Sequence, residues 1–166
     1  MTDQRTQPDP VEPHDRPELW SPRLRRILDE QIQAYEELLG LAESQAALID
    51  EDRSDELISL LASRQTIVER ATRIGQRLEP FTSRWDDLSP RLEPGQRREI
   101  AERTSRLDGL LERIAALDDA DRRRLEKRRD EVGRDIHALA SKRSAVAAYG
   151  GAARPQPAPR YQDRQG

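Results

Sequence analysis

The side chains of this 166-residue chain that could do chemistry are two histidines, several adjacent carboxylates and a cluster of arginines. Acid–base work by histidine needs a partner that orients the ring, and a metal site needs several converging ligands. His14 lies in a polar, proline-containing stretch; His137 stands beside Ile136 with Arg134 and Asp135 close in sequence. Neighbouring helical residues point in different directions, so His137 reads as a solvated side chain. Adjacent carboxylates such as Glu36-Glu37 and Asp86-Asp87 become catalytic only where burial drives their pKa values apart, and these sit in charge-rich sequence. The glycines are isolated and form no phosphate loop. Cysteine is absent, which excludes disulfides, thiol catalysis and thiolate metal sites. The chain therefore reads as a non-enzyme with no catalytic, cofactor-binding or metal residues and no cofactor.

Arg122-Arg123-Arg124 and Lys127-Arg128-Arg129 resemble a basic patch. On a helix these positions spread around the circumference, with Asp119, Glu126, Asp130 and Glu131 as i,i+4 partners, so the surface reads as self-compensated. The formal net charge is −3, unevenly spread: Asp29 to Glu56 holds ten acidic residues against Arg53 alone. A duplex binder draws most of its affinity from phosphate contacts on a basic face. That balance argues against a nucleic-acid binder; a nucleoid- or ribosome-associated helical protein is the third and poorer reading.

The elements that must position any site are helical. Leu24, Ile27, Leu28, Ile32, Tyr35, Leu38, Leu39, Ala42, Ala46 and Ile49 recur at three-four spacing, the period of one helix face. Charged residues make up 37% of the chain and aromatics 4%, so the core must be Leu, Ile and Ala, which suits narrow helix–helix seams rather than a walled pocket. No apolar run is long enough to span a membrane, and Met1 to Asp9 lacks the regions of a signal peptide. These features predict a cytoplasmic location and no membrane insertion.

The predicted fold is all-α, with antiparallel helical hairpins forming an elongated four-helix bundle or coiled coil and disordered termini. Residues 1–20, with four prolines, read as a disordered arm. The helical domain is 21–149, with helices at about 22–49, 55–79, 96–117 and 119–149. Ser21-Pro22 suits an N-cap and first helical position, and Asp50 to Asp55 a turn with Asp50, Asp52 or Ser54 as cap. Pro80 should end the second helix. Phe81, Trp85 and three prolines mark a crossing with an aromatic lid, Trp85 being a packing residue. Asp118-Asp119-Ala120-Asp121 predicts a second hairpin turn. Residues 150–166 read as a flexible Pro-rich tail.

The stripes carry gaps. Gln31, Gln45, Arg64, Arg103, Arg129 and Arg143 fall on or beside seam positions, and Gly40, Gly75, Gly109 and Gly133 place one glycine in each helix. Two readings stand: ordinary coiled-coil imperfection with snorkelling side chains, or a marginal bundle completed by another protein's helix.

The corner Glu51-Asp52-Arg53-Ser54-Asp55-Glu56-Leu57, with Leu60-Leu61, Arg64-Gln65 and Ile67-Val68, forms a pattern with two other places. These are Leu117-Asp118-Asp119-Ala120-Asp121-Arg122, and the ending Ala148-Tyr149-Gly150 with Tyr161 to Gly166. Together they resemble the FlgN-type flagellar export chaperones from about Leu24 onward; the arm before Ser21 departs from that pattern. The resemblance implies a cytoplasmic type III export chaperone. It would bind the C-terminal amphipathic helices of hook–filament junction (hook-associated) proteins, prevent premature association and deliver them to the export gate. On that basis Leu107, Leu110, Leu111, Ile114, Val132, Ile136 and Leu139 are candidate client contacts, and Tyr149 and Tyr161 candidate contacts to export machinery. Monomer and homodimer both remain open. The alternative is a structural coiled-coil or adaptor protein whose stripes are satisfied by self-association.

Overall fold

A computed structural model describes residues 16–152. The expected tail from 153 onward and most of the expected arm lie outside that range. The described residues are all-α. Helix α1 spans Pro17–Asp50, α2 Ser54–Thr82, a short α3 Trp85–Leu88, a single 3-10 turn Ser89–Arg91, and α4 Pro94–Ala152. The chain divides between Arg124 and Leu125 into two compact units.

Helix α1 is the centre of the first unit. Leu24, Leu28, Gln31, Tyr35, Leu38, Ala42, Gln45 and Ile49 step alternately by four and three, the seam of a coiled coil. Ile27 with Ala34, and Ile32 with Leu39, repeat at seven residues on either side of that seam, and all four are buried. The apolar face is wide enough for two neighbours. Those neighbours are α2 and α4, whose Ala71, Ile74, Phe81, Ile100, Leu107, Leu110 and Ile114 join α1 in one core.

The flanking charges set direction and register. Toward α2, Glu30 pairs with Arg77 at 2.5 Å and Glu37 with Arg70 at 2.6 Å. The partner numbers fall as α1 rises, so the two helices are antiparallel. Toward α4, Arg25 pairs with Glu99 at 2.5 Å, Asp29 with Arg103 at 2.8 Å, Glu36 with Arg106, Glu43 with Arg113 at 3.0 Å, and Asp50 with Arg124 at 3.7 Å. Here both numbers rise together, so α1 and α4 run parallel. The acidic excess of the first helix is thus matched by arginines on both neighbours.

Two titrating groups report this pairing. The hydrogen bond from Arg77 holds Glu30 below its ordinary carboxylate pKa of 4.5, outweighing desolvation. A lowered folded pKa means stability present above about 4.5 and lost as pH falls through the folded value. Arg103 is held above its ordinary value, chiefly by its bond to Asp29.

Several boundaries differ from the sequence expectation, each for a physical reason. α1 starts at Pro17, which takes the first helical position; Pro22 lies inside and removes one backbone hydrogen bond from a 34-residue helix. Trp20, expected in the arm, is 3% exposed, with its ring centroid 6.2 Å from that of Phe81. Pro80 lies within α2 two residues before its end, where little helix remains to be disrupted. In the first turn Asp52 adopts φ 59°, and the residue preceding α2 is Arg53, with no side-chain cap.

The largest correction is the second hairpin. Residues 117–121 are continuous α-helix within α4. The aspartates that resemble caps are engaged by side chains instead: Asp119 by Arg122 and Arg123, Asp121 by Arg124 at 2.9 Å, and Asp118 by Arg64 at 2.7 Å. Arginine partners three and four residues on stabilise a helix rather than end it, and no glycine or proline intervenes.

The heptad pairing predicts a compensated charge swap. Reversing Glu36 and Glu43 to Arg should lower stability by about 1–2 kcal/mol, since each exposed pair is worth up to about 1. Adding Arg106→Glu and Arg113→Glu should restore most of the loss in urea unfolding, which an antiparallel α1–α4 register would not allow.

Candidate functional site

Below the first turn the seam becomes polar. Arg64, 13% exposed at its side chain, donates from Nη1 to Gln45 Oε1 at 2.6 Å and from Nη2 to Asp118 Oδ2 at 2.8 Å. Asp121 is buried and accepts from Arg124 Nη1 at 2.9 Å. Two of the seam gaps, Gln45 and Arg64, therefore satisfy one another inside the unit, and Arg103 is taken by Asp29. The helix glycines are not demanded by close approach either: a Cβ at Gly40, Gly75, Gly109 or Gly133 would meet nothing within 4 Å.

Toward the other end of the same unit, α2 and α4 leave a groove of about 720 Å³ over α1. Leu24, Leu28, Tyr35, Leu78, Phe81, Trp85, Ile100 and Leu111 form much of its wall. The lid aromatics split in role: Phe81 is buried in the core while Trp85 is half-buried at the groove. Gln31 also lines it, 5% exposed, and its Oε1 has no hydrogen-bond partner among the described residues.

The second unit offers a different surface. From Leu125 to Gly151 every residue of α4 is exposed except the half-buried Arg128. Leu125, Val132, Leu139 and Val146 repeat at seven residues, with Ile136 between them, and are 46–72% exposed. The spacing is that of a coiled-coil seam, and among the described residues no helix covers it. His137 and Tyr149 are exposed on the same helix.

The predicted contact residues thus separate. Leu107, Leu110 and Ile114 are buried in the core of the first unit. Leu111, 43% exposed, lines the groove. Val132, Ile136 and Leu139 lie on the exposed row. All seven belong to one continuous helix, Leu107 to Ile114 in the first unit and Val132 to Leu139 in the second. Tyr161 lies outside the described residues. Leu125 and Val146 are not among the candidate client contacts, although their seven-residue spacing to Val132 and Leu139 sets them on the same row. Sequence reasoning missed the groove, which arises from α2 and α4 flanking α1 and has no local signature.

Among the described residues no group of three His, Asp or Glu converges as a metal site, and no helix is long and apolar enough to cross a membrane. Arg64 is the residue on which the polar layer turns. Arg64→Ala should cost about 1–3 kcal/mol by stranding Gln45 and Asp118, read as a lower urea midpoint with unchanged helicity.

A family model described as FlgN protein matches residues 20–157. No curated protein and no solved structure matches the chain.

Proposed function

The chain belongs to the FlgN family of flagellar export chaperones, and we propose that it holds its client on the apolar row of α4 that starts at Leu125. The client in this reading is the C-terminal amphipathic helix of a hook–filament junction protein. The chaperone works in the cytoplasm, keeps that helix from associating prematurely and delivers it to the export gate. Tyr149, 82% exposed on the same helix, is the candidate contact to the export machinery.

The observation that carries the reading is the exposed heptad row of Leu125, Val132, Ile136, Leu139 and Val146. An amphipathic helix laid along it would complete the seam in the helix-to-helix mode. Fully burying one such side chain is worth about 1.5–3 kcal/mol, and roughly half remains to be gained at each of these. Five residues then supply a gross term of about 5 kcal/mol, against ordering and association costs of comparable size. The net affinity then comes from the client's own apolar face, which is buried in the same seam. Leu107, Leu110 and Ile114 act in this reading by keeping the first part of α4 against α1.

The test uses two sets of substitutions. Val132→Asp, Ile136→Asp and Leu139→Asp together should weaken binding of a junction protein's C-terminal helix at least about tenfold, since charge replaces each apolar contact. Because these side chains are exposed, thermal unfolding by circular dichroism should be nearly unchanged. Leu110→Asp, in the core, should instead destabilise the fold by several kcal/mol. Full binding by the triple variant would place the client elsewhere.

A further inference from the structure

We infer that the helix taken up by the α4 row is an acidic amphipathic one, whose carboxylates meet Arg129 and Arg143. The inference rests on the proposed use of that row and adds the chemistry of its occupant.

At about 100° per residue, Leu125, Val132, Ile136 and Leu139 fall within a narrow arc of the helix. Arg143 lies five turns after Leu125 and repeats its angular position; Arg129 lies about 40° away. Arg129, Ile136 and Arg143 follow one another at seven-residue steps. Arg143 therefore stands within the apolar row and Arg129 at its edge, beside Ile136.

The surrounding charge is otherwise balanced. One shoulder carries Arg128 and Lys142 against Glu131 and Asp135, and the other presents Gly133, Ala140 and Ala147. The row holds Arg143 and, at its edge, Arg129, and no carboxylate. Arg129 is engaged by Asp130, its neighbour in sequence, at 3.0 Å with both side chains exposed. An exposed pair of this kind is weak and readily exchanged. Arg143 takes part in no ion pair among the described residues.

This placement discriminates between occupants. A second copy in parallel register would set Arg129 against Arg129 and Arg143 against Arg143. An antiparallel copy centred on Ile136 would set Arg129 against Arg143. Like charges meet on the seam in both of these registers, which opposes self-pairing in them. A foreign helix with Asp or Glu at two positions about two heptads apart turns both repulsions into attractions. The arginines are symmetric about Ile136, so such a helix fits in either direction.

The experiment uses the full chain and two synthetic peptides sharing one heptad pattern of Leu and Ile. One carries Glu and the other Lys at the two positions facing the arginines. Fluorescence anisotropy at low salt should show the Glu peptide binding about tenfold tighter, a gap that narrows as salt rises. In the Arg129→Glu, Arg143→Glu variant, with its fold checked by circular dichroism, the preference should reverse. Equal binding of both peptides would overturn the acidic preference while leaving the apolar row as the docking face. Failure of both peptides and of a junction protein's helix would remove the docking face itself. Binding of anionic vesicles in preference to either peptide would overturn the inference in favour of a lipid surface.

Discussion

Carboxylates at seven-residue steps along α1 meet arginines on both sides: Glu30 and Glu37 face α2, while Asp29, Glu36, Glu43 and Asp50 face α4. Each exposed pair is worth little alone. Their value lies in register, because an arginine shifted by one position would point away from its carboxylate. With α1 between them, α2 and α4 have opposite directions fixed, and the apolar residues of all three fall into one core. The first part of α4 is consumed by that core. Among the described residues, the exposed row that begins at Leu125 is the regular apolar seam of the second unit.

The gaps in the stripes gain a sharper meaning from this. Gln45 and Arg64 close on each other and on Asp118, and Arg103 on Asp29, so these polar positions are internal links, while Gln31 lines the groove. Arg129 and Arg143, which look alike in the sequence, sit along the exposed row and have no such closure with another helix among the described residues. The same kind of seam imperfection is structural in one unit and, in the account proposed, selective in the other.

Much of this was legible in the residues. The three-four stripe of α1, the Asp50–Ser54 turn and the antiparallel partner that follows need only periodicity and a short loop. The second hairpin was misread because Asp118 to Asp121 is composed like a cap; helix caps and i,i+4 arginine partners draw on the same aspartates, and only the positions of Arg64 and Arg122 to Arg124 decide between them. The parallel α1–α4 pairing was hidden for a different reason. It depends on matching residues about seventy apart, such as Glu36 and Arg106, and no local pattern announces which acidic heptad meets which basic one. Without that pairing, Leu107 and Val132 look equivalent, although one is buried and the other exposed.

The central claim is that α4 from Leu125 onward is the surface an exported helix completes. Amide hydrogen exchange of the full chain, with and without a junction protein's C-terminal helix, reads this directly. The account predicts that amides from Leu125 to Tyr149 exchange readily in the free chain and gain strong protection on binding, while those of α1 and α2 change little. Protection appearing instead around Leu24, Phe81 and Leu111, with the row from Leu125 unchanged, would contradict it.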